Sequence, residues 1–369
     1  MLDATAVLIT AQNGTVVEIS DAESAGDNVE LLNGILCPGF INAHCHIELS
    51  HMKGRIKPHS GIVSFVQQVM KERNAFSTEE KLAAMRSAER ELWTNGTVAV
   101  GDICNTADSV ELKQKSNLYW HNFVEVSGFV NSVAGSRFDA MTGLRDTFAK
   151  HPGRNSQSMA PHAPYSVSPG LFKLLNESTA KQITSIHNQE SSAEDQLYKN
   201  KTGAFLSLYE HLGIDVSDFQ ATGKSSLHSW LPYFTRQQEI ICVHNTFTSM
   251  GDLEYAMQYS FANLHFCICI NANLYIENSL PPVELLAAGD HNIVIGTDSY
   301  ASNTCLNMMA EIKRIKQYFP TIALEEMLRW ATINGAVALG IDNNFGSFEK
   351  GKTPGLVLID NEYNSSRML

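Results

Sequence analysis

Four apolar runs in this chain each end on side chains that can bind a metal ion. The run Gly34 to Ala43 leads into His44-Cys45-His46. ITSIHNQE carries His187 and Glu190, IICVHNTF carries His244, and NIVIGTDSYASN carries Asp298. A short β-branched run followed at once by a polar residue is how a strand buried on both faces reads. Successive side chains on a strand alternate, so His44 and His46 face one way and Cys45 the other. Cys45 is therefore packing. A His-x-His pair is weak evidence by itself. Four strand ends carrying ligand-type residues point to a site at the C-terminal mouth of an α/β barrel.

The rest of the chain supports that architecture. Strand candidates lie at 35–43, 97–103, 119–127, 157–161, 183–187, 240–244, 264–270 and 293–297, with helical stretches between most of them. Eight alternations at this length suggest a (β/α)8 barrel. Ser77-Thr78-Glu79-Glu80 is a capping box before the amphipathic run Leu82 to Trp93, which stops at Asn95-Gly96. Pro281-Pro282 opens a short helix ending at Gly289, and Leu324 to Leu339 forms another, ended by Gly340. Asn13-Gly14 is a hairpin signal between two β-branched runs near the start, and Gly355 to Ile359 is strand-like near the end. The segment 190–240 holds a long helical stretch, YKNKTGAFLSLYEHLG, and then a loop long enough to be functional.

The net charge of -12 argues against binding a nucleic-acid backbone, which needs a basic face. Seven cysteines, mostly inside apolar strands, fit buried thiols in a cytoplasmic protein rather than a disulfide frame. Cys267 and Cys269 are strand core. The opening residues lack the pattern of a secretory signal, and no apolar run approaches the ~20 residues of a membrane span. An acidic enzyme acting on a small molecule is expected, with a homodimer left open.

PGFINAHCH, PHAPYS, HNQES, NANLYIEN, GTDSYASN and GSFEKGKTPGLVLID stand in the order seen in the amidohydrolase superfamily. The chain resembles its cytosine deaminase and chlorohydrolase branch, which includes nucleoside and adenosylhomocysteine-type deaminases. The resemblance implies a barrel at 37–345 and a small β-sandwich built from both ends, 1–36 and 346–369. It implies one divalent ion per chain, Zn²⁺ or Fe²⁺, held by His44, His46, His187 and Asp298, a set that leaves a position open for water. Metal-bound hydroxide would attack an amino-bearing ring carbon. Asp298 would take the water's proton, Glu190 would protonate a ring nitrogen and then the leaving amine, and His244 would steady the water or oxyanion. Binuclear members carry a carboxylated lysine at the end of strand four. Here that strand ends Met159-Ala160-Pro161-His162, which favours one ion.

Beyond the metal, the resemblance makes Glu72 a candidate for ribose-like hydroxyls and His162 for a second substrate contact. Glu48, just past the metal pair, has no assigned role. His51, His59 and His121 have no support beyond residue type. HIELSHMKG followed by SFVQQVMKERN is similar to enzymes that deaminate 6-amino-6-deoxyfutalosine. Dechlorination or cyclic-amidine opening would use the same site, since specificity lives in loops. A non-catalytic barrel is the third reading, against which the intact ligand set and Glu190 count.

Overall fold

The computed structural model describes residues 5–26, 29–151, 153–289 and 291–369. Thirteen strands, β1 to β13, are numbered here in chain order among the described residues. Eight of them are parallel: β4 (Phe40–Cys45), β5 (Thr97–Cys104), β6 (Tyr119–Val126), β7 (Asn155–Pro161), β8 (Ile183–Asn188), β9 (Glu239–His244), β10 (Asn263–Ile268) and β11 (Asn292–Ile295). They pair as two arcs, β4 to β7 and β8 to β11. Backbone contacts close the ring. His187 N donates to His162 O at 3.0 Å on one side, and Thr297 N and Asp298 N both donate to His44 O at 3.1 Å on the other. Helices separate successive strands, as in a TIM-barrel type fold.

The strands are buried on both faces, as their composition requires. Ile241 and Val243 of β9 belong to one hydrophobic cluster with Ile41, Phe123 and Val294. Ile240 and Cys242, the alternate positions, belong to the larger cluster with Trp230, Phe234 and Ile312. Period-two alternation thus sorts each strand between two cores rather than between core and water. Close approach is tight where β11 meets β4. A Cβ at Gly296 would lie 2.8 Å from His44 Cβ and 2.9 Å from Cys267 Sγ, so only glycine lets Asp298 draw up to His44.

The chain ends are β-rich, as read. β1 (Ala6–Thr10) and β2 (Val16–Asp21) form the hairpin around Asn13-Gly14. β3 (Ile35–Pro38), β12 (Leu356–Ile359) and β13 (Ser366–Met368) form an antiparallel sheet, with β12 in the middle. Val16 N donates to Lys352 O and Gly351 N to Val16 O, both at 2.8 Å, which ties the hairpin to the C-terminal segment. Val357 and Ile359 join the larger barrel cluster. The chain ends thus form two small sheets, one of which shares the larger hydrophobic cluster of the barrel.

Four sequence-based bounds are corrected. The strand expected at 35–43 is two strands, because Gly39 turns the chain between the small sheet and the barrel. A Cβ there would sit 2.3 Å from Val98 Cγ1. The strand expected at 264–270 ends at Ile268, and Ile270–Glu277 is helix. The stretch 198–213 is divided between helices Ser192–Asn200 and Ala204–Leu212, broken where Lys201 adopts φ 52°. The last long helix carries a π turn at Trp330–Asn334 and ends at Ala338. The capping box at Ser77 and Glu80 is present, opening helix Thr78–Thr94. No helix among the described residues is long and apolar enough to cross a membrane.

A buried ion pair braces the His-x-His strand end. Lys113, on helix Val110–Lys115, places Nζ 2.5 Å from Asp102 Oδ2 and donates to Asn122 Oδ1 at 2.7 Å. Asp102 Oδ1 accepts Ile47 N, the amide just past His46, at 2.8 Å. Burial opposes the charge on Lys113, but Asp102 outweighs it and raises the ammonium's pKa. Removing one member of such a pair leaves the other charge uncompensated. Lys113→Met is expected to destabilise the chain by about 3–5 kcal/mol, read from urea unfolding; a loss below about 1 kcal/mol would show that Asp102 finds another partner.

Candidate active site

Four strand ends bring their polar side chains to one point. His44 and His46 Nε2 lie 3.1 Å apart, and His46 and His187 Nε2 lie 3.3 Å apart. Asp298 Oδ1 lies 3.4 Å from His44 Nε2 and 3.3 Å from His46 Nε2. Burial holds the imidazoles of His44, His46 and His187 below their ordinary pKa, so they stand neutral. Asp298 experiences burial too, but contact with His44, then His46 and His244, outweighs it and keeps the carboxylate ionised.

The tautomer of His187 is set by its neighbours. Nδ1 donates to His162 O at 2.7 Å, which leaves the Nε2 lone pair facing His46. Neutral imidazole nitrogens this close cannot all hydrogen-bond one another. Lone pairs converging beside a carboxylate fit a divalent cation, and His44, His46 and His187 form one group of ligand atoms with the required spacing. His44 Nδ1 is buried without a partner.

Opposite this set stand Glu190 and His244. His244 Nε2 lies 3.4 Å from Glu190 Oε1. Its Nδ1 points at Asn273 Oδ1, 3.1 Å away, and Asn273 Nδ2 donates to His244 O and Thr246 Oγ1, both at 3.0 Å. The amide is thereby oriented with its oxygen toward the ring, so Nδ1 carries the proton and Nε2 faces Glu190. Burial, then the charges of Asp298 and Glu277, push the Glu190 carboxyl well above its ordinary value. Burial thus favours the protonated form of Glu190, while the surrounding histidines favour the ionised form of Asp298, so two carboxylates at one cluster are pushed in opposite directions.

The backbone at these ends is unusual. His244, Asn245, Asp298 and Gln189 have φ of 75°, 56°, 57° and 45°, a left-handed region that non-glycine residues seldom enter. Such conformations persist only where the surroundings over-determine them. Here they turn the chain sharply out of β8, β9 and β11 so that side chains point across the barrel mouth.

The remaining sequence candidates fall out differently. His162 is half-buried; Nδ1 bonds Ser166 Oγ at 2.7 Å and its ring packs against that of His187 at 5.1 Å. Glu72 ends helix Gly61–Glu72, half-buried, and no hydrogen bond or ion pair joins its carboxylate to the cluster. Glu48 is buried and accepts Asn105 N at 3.1 Å and Thr106 N at 3.2 Å. His121 is bound by Ser156 and Ser158 inside the core, where burial lowers it to about 3. His51 bonds Arg73 O, away from the cluster.

Sequence reasoning missed three supporting residues: Asn273, Ser302 and Glu194. Ser302 Oγ donates to Asp298 Oδ2, leaving Oδ1 for the histidines. Glu194 accepts the amides of Gln189 at 3.1 Å and Glu190 at 2.8 Å, as well as Ser226 Oγ at 2.8 Å. Ser191-Ser192-Ala193-Glu194 is a capping box on helix Ser192–Asn200, a signal that was present in the sequence.

The profile of the amidohydrolase family matches residues 35–368. The chain belongs to the amidohydrolase family. It is 26% identical to an aminodeoxyfutalosine deaminase of Nitratiruptor sp., over 89% of this chain and 79% of that one. It is 26% identical to an adenosine deaminase of Helicobacter pylori, over 91% and 83%. Among solved structures, Helicobacter pylori aminofutalosine deaminase in complex with methylthio-coformycin matches with TM-score 0.83 at 23% identity, covering 96% of this chain and 86% of that one. A Xanthomonas campestris adenosine deaminase with bound zinc matches with TM-score 0.71 at 23% identity, covering 94% and 78%.

Glu194→Ala strips the partner from two buried amides, each such loss costing about 1–3 kcal/mol. The expected outcome is lower stability in urea together with reduced turnover and unchanged metal content, because the amides position Glu190 and not the ligands. Metal loss in this variant would show that the cap supports His187 instead.

Proposed function

We propose that this chain removes the amino group of a purine nucleoside-like small molecule by hydrolysis, releasing ammonia. It is a hydrolytic enzyme of the deaminase type acting on C–N bonds. The observation that carries the reading is the pair of carboxylates facing one cluster: Asp298 kept ionised among the histidines and Glu190 kept protonated beside His244.

A divalent ion on His44, His46, His187 and Asp298 would lower the pKa of a water from ~15.7 toward ~7. Zinc is the metal of choice, in keeping with three imidazoles and one carboxylate. The chain's own residues do the rest. Asp298, whose second oxygen is tied by Ser302, takes the water's proton. Glu190 gives its proton to a ring nitrogen, takes up the proton still carried by the attacking oxygen and passes that one to the leaving amine; the proton held by Asp298 then returns to Glu190. His244, held by Asn273, presents Nε2 to the attacking oxygen and keeps its line of approach. Glu72 and His162 are the candidates for the far end of the substrate. 6-Amino-6-deoxyfutalosine is the candidate substrate, supported by the relatives carrying that name, with adenosine and its 5′-modified forms beside it.

The test is ammonia release from a panel of purines, nucleosides and pterins by zinc-reconstituted protein. A purine nucleoside should be the best substrate; chloride release from chlorinated rings without any ammonia would transfer the site to dechlorination. Elemental analysis should find one ion per chain. Glu190→Gln should keep that ion and lose turnover by about 10²–10⁴-fold, the usual worth of a positioned acid. Near wild-type deamination by this variant would remove Glu190 from the reaction.

A further inference from the structure

One carboxylate beside the cluster has no role in the chemistry just described. Glu125 stands near the end of β6, close to His162 and His187, and the three offer ligand-type atoms within 4.8 Å of one another. Its Oε1 accepts Asn105 Nδ2 at 2.9 Å. Its Oε2 is buried with no hydrogen-bond partner, 3.9 Å from His187 Nδ1. Among the described residues no lysine or arginine nitrogen lies within 4 Å of it. The His187 Nδ1 proton already belongs to His162 O. A buried carboxylate oxygen without a hydrogen-bond partner is expensive unless a partner or a positive charge arrives.

We propose that Glu125 is an outer positioning carboxylate for the metal centre, set against the Nδ1 edge of the ligand His187. This rests on the metal reading above. When His187 gives its Nε2 lone pair to a cation, its ring becomes electron-poor, and Glu125 lies beside the ring edge that carries the Nδ1 proton. Partners of this kind are worth about 10–100-fold in metal affinity.

The rest of the fold holds Glu125 in place. Glu48, two residues beyond His46, accepts the amides of Asn105 and Thr106. Asn105 in turn holds Glu125, and Glu125 faces His187. A chain of contacts therefore joins the ligand pair of β4 to the ligand of β8 through the loop after β5 and the end of β6. It gives Glu48 a function: it sets the Asn105 side chain that aims Glu125.

The test is zinc affinity of the apoprotein by competition with a chromogenic chelator, together with apoprotein unfolding. Glu125→Gln keeps the size and the Asn105 bond and removes only the charge. Zinc affinity should fall about 10–100-fold, while the metal-free protein is no less stable than wild type, because the Oε2 that is replaced has no hydrogen-bond partner to lose. Glu125→Asp keeps the charge and should recover part of the affinity. Unchanged zinc affinity in Glu125→Gln overturns the proposal, as does a parallel loss of apoprotein stability and affinity, which marks a structural role. Two ions in wild type falling to one in Glu125→Gln makes Glu125 a direct ligand and also overturns it. A wild-type chain that takes up no zinc defeats the metal reading itself, a distinct result.

Discussion

Three imidazole nitrogens meet beside one carboxylate, His46 Nε2 lying 3.1 Å from His44 Nε2 and 3.3 Å from His187 Nε2. That arrangement is the constraint on which the rest of the site depends. Left alone, it brings lone pairs together in a buried space and is unfavourable; a cation turns the same geometry into a binding site. The fold reaches it by tight backbone approach rather than by flexible side chains. His44 O takes two amides from the turn after β11, Gly296 gives up its side chain so that the strands can close, and Asp298 accepts a left-handed conformation. Local strain and a packed barrel compensate each other, since the surrounding hydrogen bonds leave these residues no alternative.

Much of this is legible in the sequence, for one physical reason. A strand buried on both faces carries few polar positions, so ligand-type residues gathered at its end are conspicuous. His44, His46, His187, His244 and Asp298 all stand out in that way, and each lies at the cluster. The supporting residues do not stand out. Glu125 is one charged residue near the end of a strand, and its significance depends on Asn105, twenty positions away. Glu48 acts on backbone amides, which leave no mark in a sequence. Lys113 reads as the solvent side of a short helix, yet it is buried because Asp102 lies inside.

The failures of boundary follow the same logic. An apolar run announces burial but not which layer will receive it. Residues 35–38 go to the small sheet and 40–45 to the barrel, although composition is continuous through both. At 264–270 apolar character persists while the backbone changes from strand to helix, because Ile270 is buried in either state. Period separates helix from strand only where one side is wet. The break at Lys201 is a conformational event with no composition signal except the nearby Gly203.

The acid and the base are coupled through charge, not only through position. Glu190 is raised by burial first, and Asp298 adds to the shift. A cation beside Asp298 offsets that second contribution, so Glu190 holds its proton less tightly when the site is loaded than when it is empty. His244 sits between the two carboxylates without adding charge, since burial keeps it neutral and Asn273 fixes its proton on the far nitrogen. A charged imidazole there would favour ionised Glu190; burial opposes that charge, while Asn273, by accepting the Nδ1 proton, fixes the tautomer and the orientation of the ring.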